Sequence, residues 1–294
     1  MNRIFLLALI FCTGSLTAQE LSYGFEVGLN FSSIIGPSEA DAAGNDLESF
    51  RSATGFHVGG NIRLKFVDRF GMKAEILFSQ KGGRHVFDGE AFQVFTTETE
   101  ERVLTQGQRR SVVTVTNSYI DIPITGYWRP TSRIELFAGA NVAFLVSSTG
   151  IGELIYDGQA SIGGDPIEFI AAQDHNYYND EGRLQTSLNE FEEPISFLVN
   201  GERVEVPDPL GAYYLDFDEK DGSFYNFFDV GLVAGVHLYF NGSLYFGFRA
   251  NYGLLDATNN TYDISRTEVE DLAPLPREDR DVNLSLQGSI GFSF

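Results

Sequence analysis

The chain is short of cysteine, of bases and of long apolar runs, and each shortage removes a class of protein. Cys12 is the only cysteine in 294 residues. It falls in a segment with a positive start (Met1-Asn2-Arg3), an apolar run from Ile4 to Cys12 and a small-residue exit from Ser15 to Gln19. That order reads as a secretory signal over residues 1–19, to be cleaved. The remaining chain, 20–294, then has no thiol and no disulfide to stabilise or react. Beyond the leader no stretch approaches 18 consecutive apolar residues, so no helix is expected to cross a membrane. Lys and Arg number 20 against 41 Asp and Glu, a net charge of −21. A surface of that sign repels phosphate, which removes nucleic acid as a partner. Histidine is scarce too, at four residues.

What is present is alternation. In Asp281 to Phe294, Val282, Leu284, Leu286, Ile290, Phe292 and Phe294 share one parity, and Asn283, Ser285, Gln287, Ser289 and Ser293 the other. A period of two means a strand with one apolar and one polar face. The same pattern recurs at 21–32, 53–66, 70–82, 112–129, 133–147, 224–240 and 243–254, giving eight strands. Three connections are short (Val67-Asp68-Arg69, Arg129 to Ser132, Asn241-Gly242) and four are long (33–52, 83–111, 148–223, 255–280), in strict alternation. An even number of antiparallel strands with loop length sorted by end is the plan of a membrane barrel, apolar outside and polar inside. The expected fold is therefore all-β: an eight-stranded antiparallel up-and-down transmembrane barrel with long extracellular loops, forming one domain over 20–294 in a bacterial outer membrane.

A mean hydropathy of −0.10 looks soluble, but the charge is unevenly placed. The four long loops hold 33 acids against 11 bases, and the rest of the chain 8 against 9. The barrel is nearly neutral and the acid lies outside it.

Some residues resemble a known family. Ser118-Tyr119-Ile120-Asp121-Ile122-Pro123-Ile124 is similar to the Tyr-(Ile/Leu)-x-(Ile/Leu)-Pro strand of PorT-like outer-membrane β-barrels. Ala74-Glu75-Ile76-Leu77-Phe78-Ser79-Gln80-Lys81-Gly82 resembles the strand end of the same family, and Phe294 its C-terminal aromatic. The resemblance implies an eight-stranded outer-membrane barrel and, through one namesake of the family, a place in an envelope or secretion complex.

The inward parity supplies the acids Glu26, Glu75, Asp121, Glu135 and Asp229 and the bases Arg63, Lys65, Lys73 and Arg249. Eight strands leave a lumen that side chains fill, and charges stay buried only when paired. A lumen charge network plugging the barrel is expected, with a small ion or solute channel as the alternative. Glu26 is a candidate partner for Arg249, because the first and last strands close the barrel.

No catalytic set is expected. His57 and His237 face the lumen, and Asp229 lies eight residues from His237 on the same face, about 26 Å along an extended strand. His85 and His175 sit in loops near Asp88 and beside Asp174. No cofactor is expected beyond a weak calcium candidate at Asp216, Asp218 and Asp221, oxygen-rich but without the spacing of a calcium loop. In loop 148–223, residues 195–206 read as a hairpin about Asn200-Gly201, among the aromatics Tyr177, Tyr178, Tyr213, Tyr214, Phe217, Phe224, Tyr225 and Phe227. These aromatics either form a binding surface or pack the loop onto itself and onto the barrel rim, and the two are not exclusive. The expected work is non-enzymatic: anchoring in outer-membrane lipid and displaying the acidic, aromatic loops, 148–223 above all, to an envelope or secretion-complex protein.

Overall fold

Sheet is the regular structure of the described residues. The computed structural model describes residues 20–97, 101–160, 164, 166–178, 185–186, 189, 193–199, 201–208 and 223–294. The expected leader with Cys12 and the calcium candidates Asp216, Asp218 and Asp221 lie outside the described residues, as do Asn200, Tyr213, Tyr214 and Phe217. Eight strands carry the architecture: β1 (Glu20–Ile35), β2 (Ala53–Val67), β3 (Phe70–Thr96), β4 (Arg102–Thr131), β5 (Ile134–Gln159), β6 (Phe228–Tyr239), β7 (Leu244–Gly253) and β8 (Val282–Ser293). Each pairs antiparallel with the next, across long and short connections alike. β8 then returns to β1, with Val27 opposite Ile290. The two ends of the described chain are tied together, Tyr23 N donating to Phe294 O at 3.0 Å and Phe294 N to Tyr23 O at 2.8 Å. Over the lengths where all eight pair around the cycle, no edge is left to seek another chain.

The two faces are inverted relative to a water-soluble protein. On β1, Phe25, Val27, Leu29 and Phe31 point outward and are about half exposed, while Glu26 and Asn30 between them are fully buried. The outward apolar run on β3 lasts from Phe70 to Phe78 and gives way to Gln80 and Arg84. On β4 it reaches from Trp128 back to Ile120, and on β5 from Ile134 to Val146. Tilted strands need about 9–11 residues to cross a bilayer core, and these runs match that span.

Beyond the band the structure departs from the expected loops. β3 and β4 do not stop at 82 and 112; they continue through 83–111 as one ladder to Thr96 opposite Arg102. β5 likewise runs on to Gln159 and is joined by a further strand, Pro166–Asn176. A short strand, Glu48–Arg51, pairs with Arg84–Phe87. The main sheet thus holds ten strands rather than eight. The physical reason is that the outward parity turns polar where lipid ends (Arg84, Asp88, Glu90, Arg110), which reads as loop. The inward parity of β3 keeps Phe87, Ala91 and Phe95 buried, with Gln93 among them.

The extension has its own core, in which Phe95, Leu154, Tyr156, Ile167 and Phe169 pack with Val199, Val204 and Val206. The last three flank or belong to the hairpin Ser196–Val199 with Glu202–Glu205. Gly201 takes φ 88° at its turn, a conformation that glycine reaches without steric cost. A second hairpin, Ile264–Glu270 with Ala273–Pro276, rises from the 254–281 connection.

If the apolar band is the lipid contact, position along a strand decides what an outward arginine does. Leu232→Arg, within the band on β6, should cost about 2–4 kcal/mol and abolish the heat-modifiable folded form on electrophoresis. Thr114→Arg, outward and exposed on β4 beside Arg84, should fold like the parent. Equal loss from both would place the band elsewhere.

Candidate functional site

Closure of the sheet points one parity of every strand at a common axis, so side chains far apart in sequence meet there. Nearest the short turns, Glu135 collects three cations or donors. Arg63 Nη1 lies 3.0 Å and Arg129 Nε 2.7 Å from its Oε2, and His237 Nδ1 lies 2.8 Å from its Oε1. The Tyr239 hydroxyl joins the group, donating to Glu135 at 3.3 Å and accepting from Arg129 at 2.8 Å and from Arg63. The next layer is a second closed set. Arg249 Nη2 is 2.8 Å from both Glu26 Oε1 and Glu75 Oε2, Lys73 Nζ is 2.9 Å from Glu75, and Tyr245 OH donates to Glu26 at 3.0 Å. Phe137 lies beneath both cations of this layer, 4.4 Å from Lys73 Nζ and 5.4 Å from the Arg249 guanidinium.

Toward the long loops, Lys81 Nζ pairs with Asp121 at 2.7 Å, Asn141 donates to the same carboxylate at 3.2 Å, and Asn283 donates to Asp229 at 3.0 Å. His57 meets Asn30 Oδ1 at 2.6 Å, and Asn30 in turn donates to Ser79 and to the Gln80 carbonyl. Gly28 makes room for this cluster, since any Cβ there would strike the His57 ring and the Gly288 carbonyl. Glu26, Arg63, Lys73, Glu75, Asp121, Glu135, Asp229 and Arg249 are all 7 % exposed or less.

Lys65 does not belong to this interior. Its side chain is 40 % exposed and pairs with Glu20 at 2.8 Å and Asp68 at 3.8 Å. The ladder shifts register between Lys65 and Val67, and at the strand end the long stem carries the ammonium out to water. Two cations that sequence reasoning left out take part instead. Lys81 continues the parity of Lys73, Glu75 and Ser79, so one more step of the same alternation finds it. Arg129 continues that of Tyr127 but reads as turn. Glu135 stands directly opposite His237 in the β5–β6 register, a pairing invisible without knowing which strands are neighbours.

At the long-loop end an apolar layer covers the charged interior. Tyr119, Val113, Val115 and Leu145 pack with Tyr177, Phe224, Tyr225 and Tyr262 from the connections. Tyr177, Phe224 and Tyr225 are therefore lid rather than display, whereas Tyr178 and Phe227 remain exposed. Above the layer lies a cavity of about 70 Å³ lined by Phe50, His85, Arg277, Asp263 and Asp281 among others. The loop histidines do not meet the acids beside them in sequence. His85 Nε2 faces Glu48 at 3.0 Å, Asp88 lies 3.9 Å from Arg110, and His175 Nε2 faces Gln173 at 3.1 Å.

Glu48 is the hub of this crown. It accepts from His85, from the Glu39 amide at 2.9 Å and from Arg277 at 3.0 Å. Burial pushes its carboxyl up, but the His85 hydrogen bond and charge, with Arg277 and Arg266, outweigh that and hold it at about 2. Burial and the neighbouring acids instead push Asp263 up to about 8, against the pull of Arg277. They push Asp281 up to about 6. A carboxyl depressed by folding stabilises the fold above its unfolded value and loses that contribution as pH falls through the folded value. The urea midpoint of the parent should therefore exceed that of Glu48→Gln at pH 7, with the gap narrowing between pH 4.5 and about 2. A gap independent of pH would mean that the carboxylate charge is not what holds the crown.

Residues 17–259 match the outer membrane protein β-barrel domain family. No curated protein matches the chain. Among solved structures, Ail, the attachment invasion locus protein of Yersinia pestis, is similar at 10% identity with a TM-score of 0.35, over 94% of this chain and 99% of that one. OprG of Pseudomonas aeruginosa is similar at 10% identity and 0.28, over 92% and 95%. The outer membrane protease OmpT of Escherichia coli is similar at 7% identity and 0.25, over 93% and 97%. None is close enough to carry its function across. The family match spans most of the chain and agrees with the inverted faces and the buried polar interior: this chain belongs to the outer membrane protein β-barrel domain family and resides in the bacterial outer membrane.

Proposed function

We propose that the chain is a non-enzymatic anchor. Its eight paired strands span the outer membrane, its interior is plugged by the ion-paired layers, and its long-loop end faces outward and presents a folded crown to a protein of the envelope or of a secretion complex. The observation that carries this reading is the sheet above the apolar band. β3 has 27 residues, β4 30 and β5 26, which at about 3.3 Å per residue is some 90 Å of strand against a bilayer core of about 30 Å. A barrel that only conducts needs no such projection with a core of its own.

The outer face of the projection suits contact. Ile151 and Ile170 are 64% and 60% exposed, well past the level at which outward residues turn polar. Acids flank them: Glu153 on β5, Glu168 and Asp174 on the neighbouring strand. The strand Pro166–Asn176 is paired along one edge only among the described residues, and an open edge accepts an added strand from a partner. The Tyr119-to-Pro123 and Glu75-to-Gly82 motifs support a PorT-like kinship and with it an envelope complex. The channel alternative has the interior against it, because every ion crossing it would have to break paired charges.

Two measurements test the proposal together. A photo-crosslinking residue at Ile170 should trap a protein adduct in intact envelopes, and Ile151→Glu should reduce that adduct severalfold without altering heat-modifiability. Purified parent protein in planar bilayers should give no steady single-channel steps. Steady conductance with no adduct from Ile170 would replace the anchor by the channel.

A further inference from the structure

We propose that Asp263, Asp279 and Asp281, at the rim of the crown, form a binding site for a divalent cation of the calcium type that pins the 254–281 connection over the barrel mouth. Each of the three offers one carboxylate oxygen, and these oxygens all lie within 4.8 Å of one another. Two oxygens on opposite sides of a calcium ion at about 2.4 Å are separated by about 4.8 Å, so oxygens this close are within reach of one shared ion.

A cluster of acids alone is commonplace on a protein surface. What sets this one apart is burial without partners. Asp263 is 5% and Asp281 7% exposed. The Asp263 carboxylate accepts no hydrogen bond among the described residues. Asp279 and Asp281 each commit one oxygen to the protein: Asp279 Oδ2 to Arg277 at 2.7 Å, Asp281 Oδ2 to the Thr258 hydroxyl at 3.2 Å. Their other oxygens, Oδ1 in both, are buried and unpartnered. An unpaired buried carboxylate oxygen is costly, and two of the three clustered residues carry one.

Further oxygen ligands are at hand. Asn260 Nδ2 donates to the Asp279 carbonyl at 3.2 Å, which leaves Asn260 Oδ1 buried and unpartnered. Asp263 and Asp281 also line the cavity of about 70 Å³, room for an ion and several waters at roughly 10–15 Å³ each. The cluster contains neither histidine nor cysteine, and an all-oxygen set selects hard cations over zinc or copper. Calcium suits it better than magnesium, because ligands from two stretches of loop form a flexible site, whereas magnesium demands a rigid octahedron. Arg277 supplies one compensating charge, but it is shared with Glu48. The site is separate from the acidic segment at Asp216, Asp218 and Asp221.

The probe is calcium itself, added to full-length protein refolded in detergent. Isothermal titration should give a dissociation constant of roughly 10⁻⁴–10⁻³ M, the range of extracellular modules, and calcium should raise the urea midpoint relative to chelator. Asp263→Asn and Asp281→Asn should weaken binding at least tenfold and remove the calcium-dependent rise. In chelator both variants should stay at least as stable as the parent, because the substitution relieves the repulsion. Asp218→Asn should leave both readouts unchanged. No calcium-dependent shift in the parent, an undiminished shift in Asp263→Asn, or a shift lost only in Asp218→Asn would overturn the proposal.

Discussion

Everything in this structure depends on charge being paired where water is absent. A sheet that closes on itself inside lipid has nowhere to send its polar side chains except inward, and an isolated ion there costs several kcal/mol. The chain meets that constraint in layers. Glu135 is surrounded by Arg63, Arg129 and His237, Glu26 and Glu75 by Arg249 and Lys73, and Asp121 by Lys81. Inward tyrosines and Phe137 complete the shells, since ring faces attract the same cations. The layers join strands that are not neighbours, so they fix the cross-section as well as the charge balance.

The constraint changes at the top of the band. There the outer face meets water, and the burden of holding the sheet passes to an ordinary apolar core built from Phe95, Tyr156, Phe169 and the hairpin valines. Between the two regimes sits the aromatic lid of Tyr177, Phe224 and Tyr225. Above it lies a charged group formed by Glu48, Arg277 and the rim aspartates. The account thus has a polar core inside lipid, an apolar core outside it, and a charged junction where the connections attach.

Much of this was legible in the residues, and the gaps have physical reasons. Period-two alternation located all eight paired strands and the faces of Glu26, Glu75, Glu135 and Arg249, because the pleat converts parity directly into side. The same rule failed past residue 82, where outward Arg84, Asp88 and Glu90 resemble loop although inward Phe87, Ala91 and Phe95 continue the strand. Lys65 shows the opposite failure, since its parity is inward but its height at the strand end sends it to water. The His237–Glu135 contact and the meeting of Asp263 with Asp281 depend on register and on loop course, which one sequence does not encode in any local pattern.

The interior network is best tested by the coupling between two of its members from distant strands. Equilibrium unfolding of the parent, Glu26→Gln, Arg249→Met and the double variant forms a cycle that isolates their interaction. The layered account gives each single change a loss in stability and the pair a coupling of about 1–3 kcal/mol, with the double variant less damaged than the sum of its parts. Additive effects, with no coupling between Glu26 and Arg249, would contradict it.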